Sequence, residues 1–182
     1  QAIDVENGLY GALKSFTDPR GNTTTISLDS HGNPVEIRGP DTDGPDGGSQ
    51  EGHTETRDYD AWGRLLSRTL PDGIEVTYTY HQTHPGKGLL HTLEVTLTEQ
   101  EKLTTEFHYN WAGAVTRVVD PMDRAWDYEV NSERLVTAVT LPQVTEEDGQ
   151  THVAYEYNQN GLPVRILYDN RVGGALQTNE HW

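Results

Sequence analysis

The sequence has no cysteine, a single methionine and only two phenylalanines among 182 residues. Without thiols it can form neither a disulfide nor a thiolate metal site, so its stability rests on packing and sheet hydrogen bonds. Positive charge is also scarce. Thirteen Lys and Arg stand against 29 Asp and Glu, a formal charge of −16. A nucleic-acid partner is therefore not expected, because holding a phosphate backbone requires clustered basic side chains. No apolar run approaches the ~20 residues a membrane helix needs, so no membrane span is expected. The pattern of a basic start, apolar middle and small-residue cleavage site is missing as well. The chain opens in mid-flow at Gln1-Ala2-Ile3-Asp4, and any export signal is expected outside this segment.

Thr, Val and Tyr are plentiful, with 18 Gly and 9 Pro. The first three suit a pleated, half-buried surface, and the last two punctuate turns. A hydrophobic share of 33% is low for a compact globule and suggests a thin sheet.

Self-similarity organises the chain. Tyr59-Asp60-Ala61-Trp62-Gly63-Arg64-Leu65 is echoed by Tyr109-Asn110-Trp111-Ala112-Gly113 and by Tyr157-Asn158-Gln159-Asn160-Gly161. Leu28-Asp29-Ser30-His31-Gly32 is a further copy with the aromatic replaced. Near Asn131 the expected glycine is missing, and that copy reads as degenerate. A second turn signal lies between the copies: Asp18-Pro19-Arg20-Gly21, Gly39-Pro40-Asp41, Leu70-Pro71-Asp72-Gly73, Asp120-Pro121-Met122-Asp123 and Leu141-Pro142. Pro19 to Pro40, Tyr59 to Tyr80 and Pro121 to Pro142 are each 21 residues apart. One unit is thus a strand, a Tyr-Asp turn, a strand and a Pro turn. The Asx side chain can accept backbone N–H bonds two residues on, Gly supplies positive φ, and Pro presets its own φ.

Between turns the pattern alternates. Val76, Tyr78 and Tyr80 share one face, with Glu75, Thr77 and Thr79 on the other. Trp126, Tyr128 and Val130 repeat the arrangement, as do Val153, Tyr155 and Tyr157. Period-two amphipathicity predicts antiparallel sheet with two chemically different faces. The expected fold is all-β: tandem antiparallel β-hairpins in one curved sheet, forming a single repeat region over residues 1–182. A flexible acidic insertion is expected at about 41–53, and residues 81–88 and 145–150 lengthen two further turns.

Three sharper readings are weighed against plainer ones. Asp41-Thr42-Asp43-Gly44 suggests an EF-hand, but Pro45, Asp46 and Gly52 fall at positions 5, 6 and 12, where an oxygen ligand, Gly and Glu are required. His81, His84 and His91 suggest zinc, yet no obvious fourth ligand is near, and no metal or cofactor is expected. Glu99 with Glu101, and Glu146 with Glu147 and Asp148, could act as paired carboxylates in a hydrolase. In an acidic chain such neighbours read as solvated turns. No nucleophile elbow, P-loop or dinucleotide fingerprint occurs, and the chain is not expected to be an enzyme. The aromatics read as cross-strand pairs, with glycan stacking as the rival.

Tyr59-Asp60-x-x-Gly63-Arg64-Leu65 followed by Pro71-Asp72-Gly73 and Tyr78-Thr79-Tyr80 resembles the YD or Rhs (rearrangement hotspot) repeat. The repeat signature falls on Asp29, Gly32, Tyr59, Asp60, Gly63, Pro71, Gly73, Tyr109, Asn110, Gly113, Pro121, Tyr157, Asn158 and Gly161. The resemblance implies a segment of a hollow β-shell that encloses a C-terminal toxin domain, as in bacterial polymorphic toxins and toxin-complex proteins. It implies the rest of that shell and the toxin as partners, and a secreted or cell-surface location in a bacterium. No counterpart of the family's autoproteolytic core is visible. The alternative is a carbohydrate-binding or adhesion module of a cell-surface YD-repeat protein. Open strand edges would also permit self-association.

Overall fold

Segments rich in Thr, Val and Tyr form strands, and the Gly- and Pro-marked positions between them form turns. The computed structural model describes residues 4–7, 11–40, 42–43, 49–50, 53–143, 151–172 and 175–181. Among these the fold is all-β and antiparallel, with no α-helix.

The chain divides into two compact units, Gln1–Tyr78 with Glu94–Lys102, and Thr79–Leu93 with Leu103–Trp182. In the first, β1 (Asp4–Asn7), β2 (Leu13–Thr17), β3 (Thr23–Leu28), β4 (Pro34–Arg38), β7 (Thr54–Tyr59), β8 (Leu65–Thr69) and β9 (Glu75–Tyr80) pair neighbour to neighbour in that order. In the second, β11 (Lys102–Tyr109), β12 (Val115–Val119), β13 (Ala125–Val130), β14 (Val136–Thr140), β15 (His152–Tyr157), β16 (Pro163–Val172) and β17 (Ala175–His181) do the same. β10 (Leu90–Thr96), like β9 and β11, carries residues of both units.

Part of the Gly/Asp-rich insertion is ordered into a ladder of its own. β5 (Thr42–Asp43) pairs with β6 (Ser49–Gln50), Thr42 opposite Gln50. Positions 41, 44–48 and 51–52 of the expected flexible insertion, and the 145–150 extension, lie outside the described residues.

Cross-strand register sorts side chains onto two faces, since directly opposed residues point the same way. In the second unit one face carries Phe107, Val118 and Trp126 in one row and Tyr128, Val139, Val153 and Tyr168 in the next. The opposite face carries His108, Arg117, Asp127, Thr140 and His152. Burial is shallow, as expected of a thin sheet. Val76, Ala138 and Val153 are the buried apolar residues among those described.

Candidate functional site

The repeated element is the turn. Asp60 N–H donates to the Arg64 carbonyl and Gly63 N–H to the Asp60 carbonyl, at 2.9 and 3.0 Å. The Asp60 Oδ1 then accepts from the Trp62 and Arg64 amides. This is a type I turn closed by a left-handed residue, a frequent hairpin solution. The same frame begins at Asp18, Asp29, Asn110, Asp120, Asn131 and Asn158. Its backbone bonds recur at Leu70, where Asp72 supplies the side-chain acceptor, to Ile74 N–H. The Tyr-Asp signals and three of the Pro signals are therefore one turn, with Pro19, Pro71 and Pro121 occupying its second position. At Pro40 and Pro142 the chain instead enters longer connections, Gly39 N–H donating to the His53 carbonyl and Leu141 N–H to the Thr151 carbonyl.

The copy at Asn131 is complete, contrary to its degenerate appearance in sequence. Arg134 takes the left-handed position at φ 65°, and Asp123 does so at φ 59° in the Asp120 turn. Gly21, Gly32, Gly63, Gly73, Gly113 and Gly161 hold the equivalent place elsewhere. Left-handed backbone brings Cβ against the following carbonyl, a cost that Gly63 avoids and Arg134 bears.

What separates the two turn signals is the ladder beyond the turn. After the Tyr-Asp-type turns the register slips by one residue: Tyr59 faces Leu65, but Asp58 faces Ser67. The slip recurs after the turns at Asp29, Asn110, Asn131 and Asn158. After the Pro turns at Asp18, Leu70 and Asp120 it is absent. An extra residue switches the following strand to the other face, so simple alternation fails there. It leaves Leu66 and Val164 exposed.

A second regularity escaped the sequence reading. Where the turn opens with Asp, the residue four positions on is a donor to Oδ2: Asn22, Asn33, Arg64 or Arg124. Where it opens with Asn, that residue is apolar: Ala114, Leu135 or Leu162. A carboxylate's second oxygen calls for a donor, whereas an amide offers its own N–H₂ there. These bonds hold the carboxyls below the ordinary aspartate value of 3.8. For Asp18 and Asp29 the Asn22 and Asn33 side chains lead, and for Asp120 the Arg124 side chain. Partial burial pushes Asp60 up, but the Arg64 amide, the Arg64 guanidinium and the Trp62 amide outweigh it.

The tyrosine of the signature ties one repeat to the one before. Tyr59 Oη donates to the Pro34 carbonyl at 3.1 Å, and Tyr157 Oη to the Val136 carbonyl at 2.6 Å. Both acceptors lie five residues after the opening Asx of the preceding Tyr-Asp-type turn, at Asp29 and Asn131. Tyr109 packs instead against Gly86, where an added Cβ would stand 2.9 Å from its ring.

Not every aromatic joins a ladder. Trp62 and Trp111 sit on turn tips, 79% and 78% exposed. The Arg64 guanidinium lies 5.0 Å over the Trp62 ring, and His84 stacks on Trp111 at 5.4 Å. The histidines separate accordingly. His81 and His91 come together at 4.3 Å while His84 turns away to Trp111. Among the described residues no group of three or more His, Asp or Glu is arranged to hold a metal ion. A groove of about 630 Å³ lies beside the Asp120 turn and is lined by Arg117, Met122, Asp123, Arg124, Asp127 and Pro142. Its arginines are already bonded to Asp127 and Asp120. An apolar groove of about 460 Å³, lined by Val115, Val118, Tyr128, Val130 and Val136, lies on the aromatic face.

The RHS Repeat family model matches residues 59–84. No curated protein matches the chain. Among solved structures, the TcdB2-TccC3-Cdc42 crystal structure aligns over 97% of this chain and 9% of the other, at 14% identity and a TM-score of 0.73. The Photorhabdus luminescens Tc holotoxin pore gives the same coverage, identity and TM-score. The TcdB2-TccC3 structure aligns over 97% of this chain and 10% of its own, again with a TM-score of 0.73. The chain thus spans about a tenth of these toxin-complex chains. Residues 59–84 thus carry an RHS repeat, and the same hairpin unit recurs on either side of it.

Proposed function

We infer that this chain is a non-catalytic stretch of the wall of an Rhs-type shell, which encloses a C-terminal toxin domain until delivery from a bacterium. The observation that carries this reading is the alignment of 97% of the chain, at a TM-score of 0.73, with a tenth of the toxin-complex chains. The residues supply what a wall needs: turns closed by their own side chains, repeats tied by Tyr59 and Tyr157, and one apolar and one charged sheet face. The partners are the remainder of the shell and the enclosed domain. No helix among the described residues is long and apolar enough to cross a membrane.

The test is limited proteolysis of the parent chain, read by mass spectrometry. A C-terminal domain that resists digestion while the shell is folded, and becomes labile once it is unfolded, supports containment. Equal cleavage in both states overturns it. Exposed Trp62 and Trp111, off the strand ladders, favour glycan binding as the second reading. Quenching of tryptophan fluorescence by oligosaccharides, lost in Trp111→Ala, would identify it.

A further inference from the structure

The long turn from His81 to Leu89 is held on the sheet by an unusual concentration of imidazoles. The His81 amide bonds to the Leu89 carbonyl, and the Gly88 amide to the His81 carbonyl, closing the loop at its base. The His81 side chain reaches across to β11, with Nε2 2.8 Å from the Phe107 carbonyl. Gly86 seats the loop so tightly that a Cβ there would meet both Tyr109 and the His81 ring. Beside His81 lie the His91 ring at 4.3 Å and the His108 ring at 6.5 Å. His91 Nε2 and His108 Nε2 both face Glu106 Oε1, at 3.1 and 3.3 Å.

The acceptors dictate the proton positions. A carbonyl and a carboxylate oxygen can only accept, so His81 and His91 carry hydrogen on Nε2. Their Nδ1 atoms are then the sites open to a further proton, which imidazoles ordinarily take up between pH 5 and 8. The charged groups around them are few. Glu106 is the carboxylate shared by His91 and His108, Arg117 stands across the ladder from His108, and Asp127 is bonded to Arg117. The loop itself contributes His84, stacked on Trp111, and Lys87. A charge on His91 or His108 would stand against Glu106, at 3.1 and 3.3 Å. A proton on His81 gains no carboxylate and meets His91 at 4.3 Å. With all three charged, four positive groups face the two carboxylates of Glu106 and Asp127.

We propose that His81, His91 and His108, gathered around Glu106, form a proton-sensitive clasp that holds the 81–89 loop against β11 at neutral pH and releases it on acidification. Charge on all three rings would set His81 against His91 at 4.3 Å, with the single carboxylate of Glu106 already shared by His91 and His108. The proposal stands on this cluster alone and is independent of the shell reading.

Amide hydrogen exchange on the full 182-residue chain tests it, corrected for intrinsic pH dependence. Between pH 7.5 and 5.0 the Gly88 and Leu89 amides are expected to exchange about tenfold faster relative to those of β13 and β14. His81→Gln keeps a donor for the Phe107 carbonyl without a titrating ring, and His91→Phe keeps the ring without the charge. Both are expected to abolish the response. Equal protection at the two pH values in the unaltered chain, or a full response in His91→Phe, would overturn the clasp.

Discussion

Arg134 and Asp123 are the residues at which this chain departs from its own turn chemistry. Each holds a left-handed conformation that glycine adopts elsewhere in the repeats. Replacing Arg134 by Gly removes the Cβ conflict, while the unfolded chain gains entropy that takes back part of the gain. The expected net is a stabilisation of about 0.5–1 kcal/mol for Arg134→Gly. A smaller gain is expected for Asp123→Gly, because Asp tolerates this region better. Urea midpoints of the two variants measure it. The tyrosine hydroxyls make the opposite case. Tyr59→Phe and Tyr157→Phe each leave a backbone carbonyl without its donor, at an expected cost of about 1 kcal/mol. Because the two bonds are far apart in sequence and share no partner, the costs should add in the double variant.

At the scale of the element, the hairpin depends on the charge of its opening residue. Asp18, Asp29, Asp60 and Asp120 are held below 3.8 in the folded chain. Between the folded value and 3.8 the unfolded chain binds more protons, so stability falls as pH falls. The contribution is complete above 3.8 and disappears as pH drops through the folded values. Substituting all four by Asn preserves the turn acceptor, as Asn110, Asn131 and Asn158 show. The parent chain is expected to lose more melting temperature than this variant between pH 4.5 and 2.5, and thermal melts across that range decide it. Much of the element was legible in the sequence: the positions of Asp29, Asp60, Asn110 and Asn158 located their turns because an Asx side chain acts on amides two and four residues away. The turn at Asn131 read as degenerate because its glycine is replaced by Arg134. The register slip after the Tyr-Asp-type turns was missed because adjacent apolar residues such as Leu65 and Leu66 read as noise in an alternating pattern.

Across the whole molecule, a sheet with so few buried residues holds together by neighbour contacts. In a repeat architecture each unit touches only those beside it, so damage should remain local. Val153→Ala removes two buried methyl groups, worth about 1.5 kcal/mol. It is expected to speed amide exchange in β14, β15 and β16 while β11 and β12 keep their protection. Loss of protection throughout that unit would show that it behaves as one cooperative block instead.

The sequence by itself determined the all-β class, the places of most turns, the RHS repeat at residues 59–84 and the alternation within most strands. All of these follow from interactions within a few residues: side chain to nearby amide, left-handed backbone at one position, and a two-residue period. The tertiary structure decided which distant groups meet. Tyr59 finds the carbonyl of Pro34 and Tyr157 that of Val136, His81 leaves His84 to join His91 and His108, and Trp62 and Trp111 project from turn tips. The physical reason is register. A one-residue slip after each Tyr-Asp-type turn sends every later side chain to the opposite face, and that slip is settled by cross-strand pairing, not by any local run of residues.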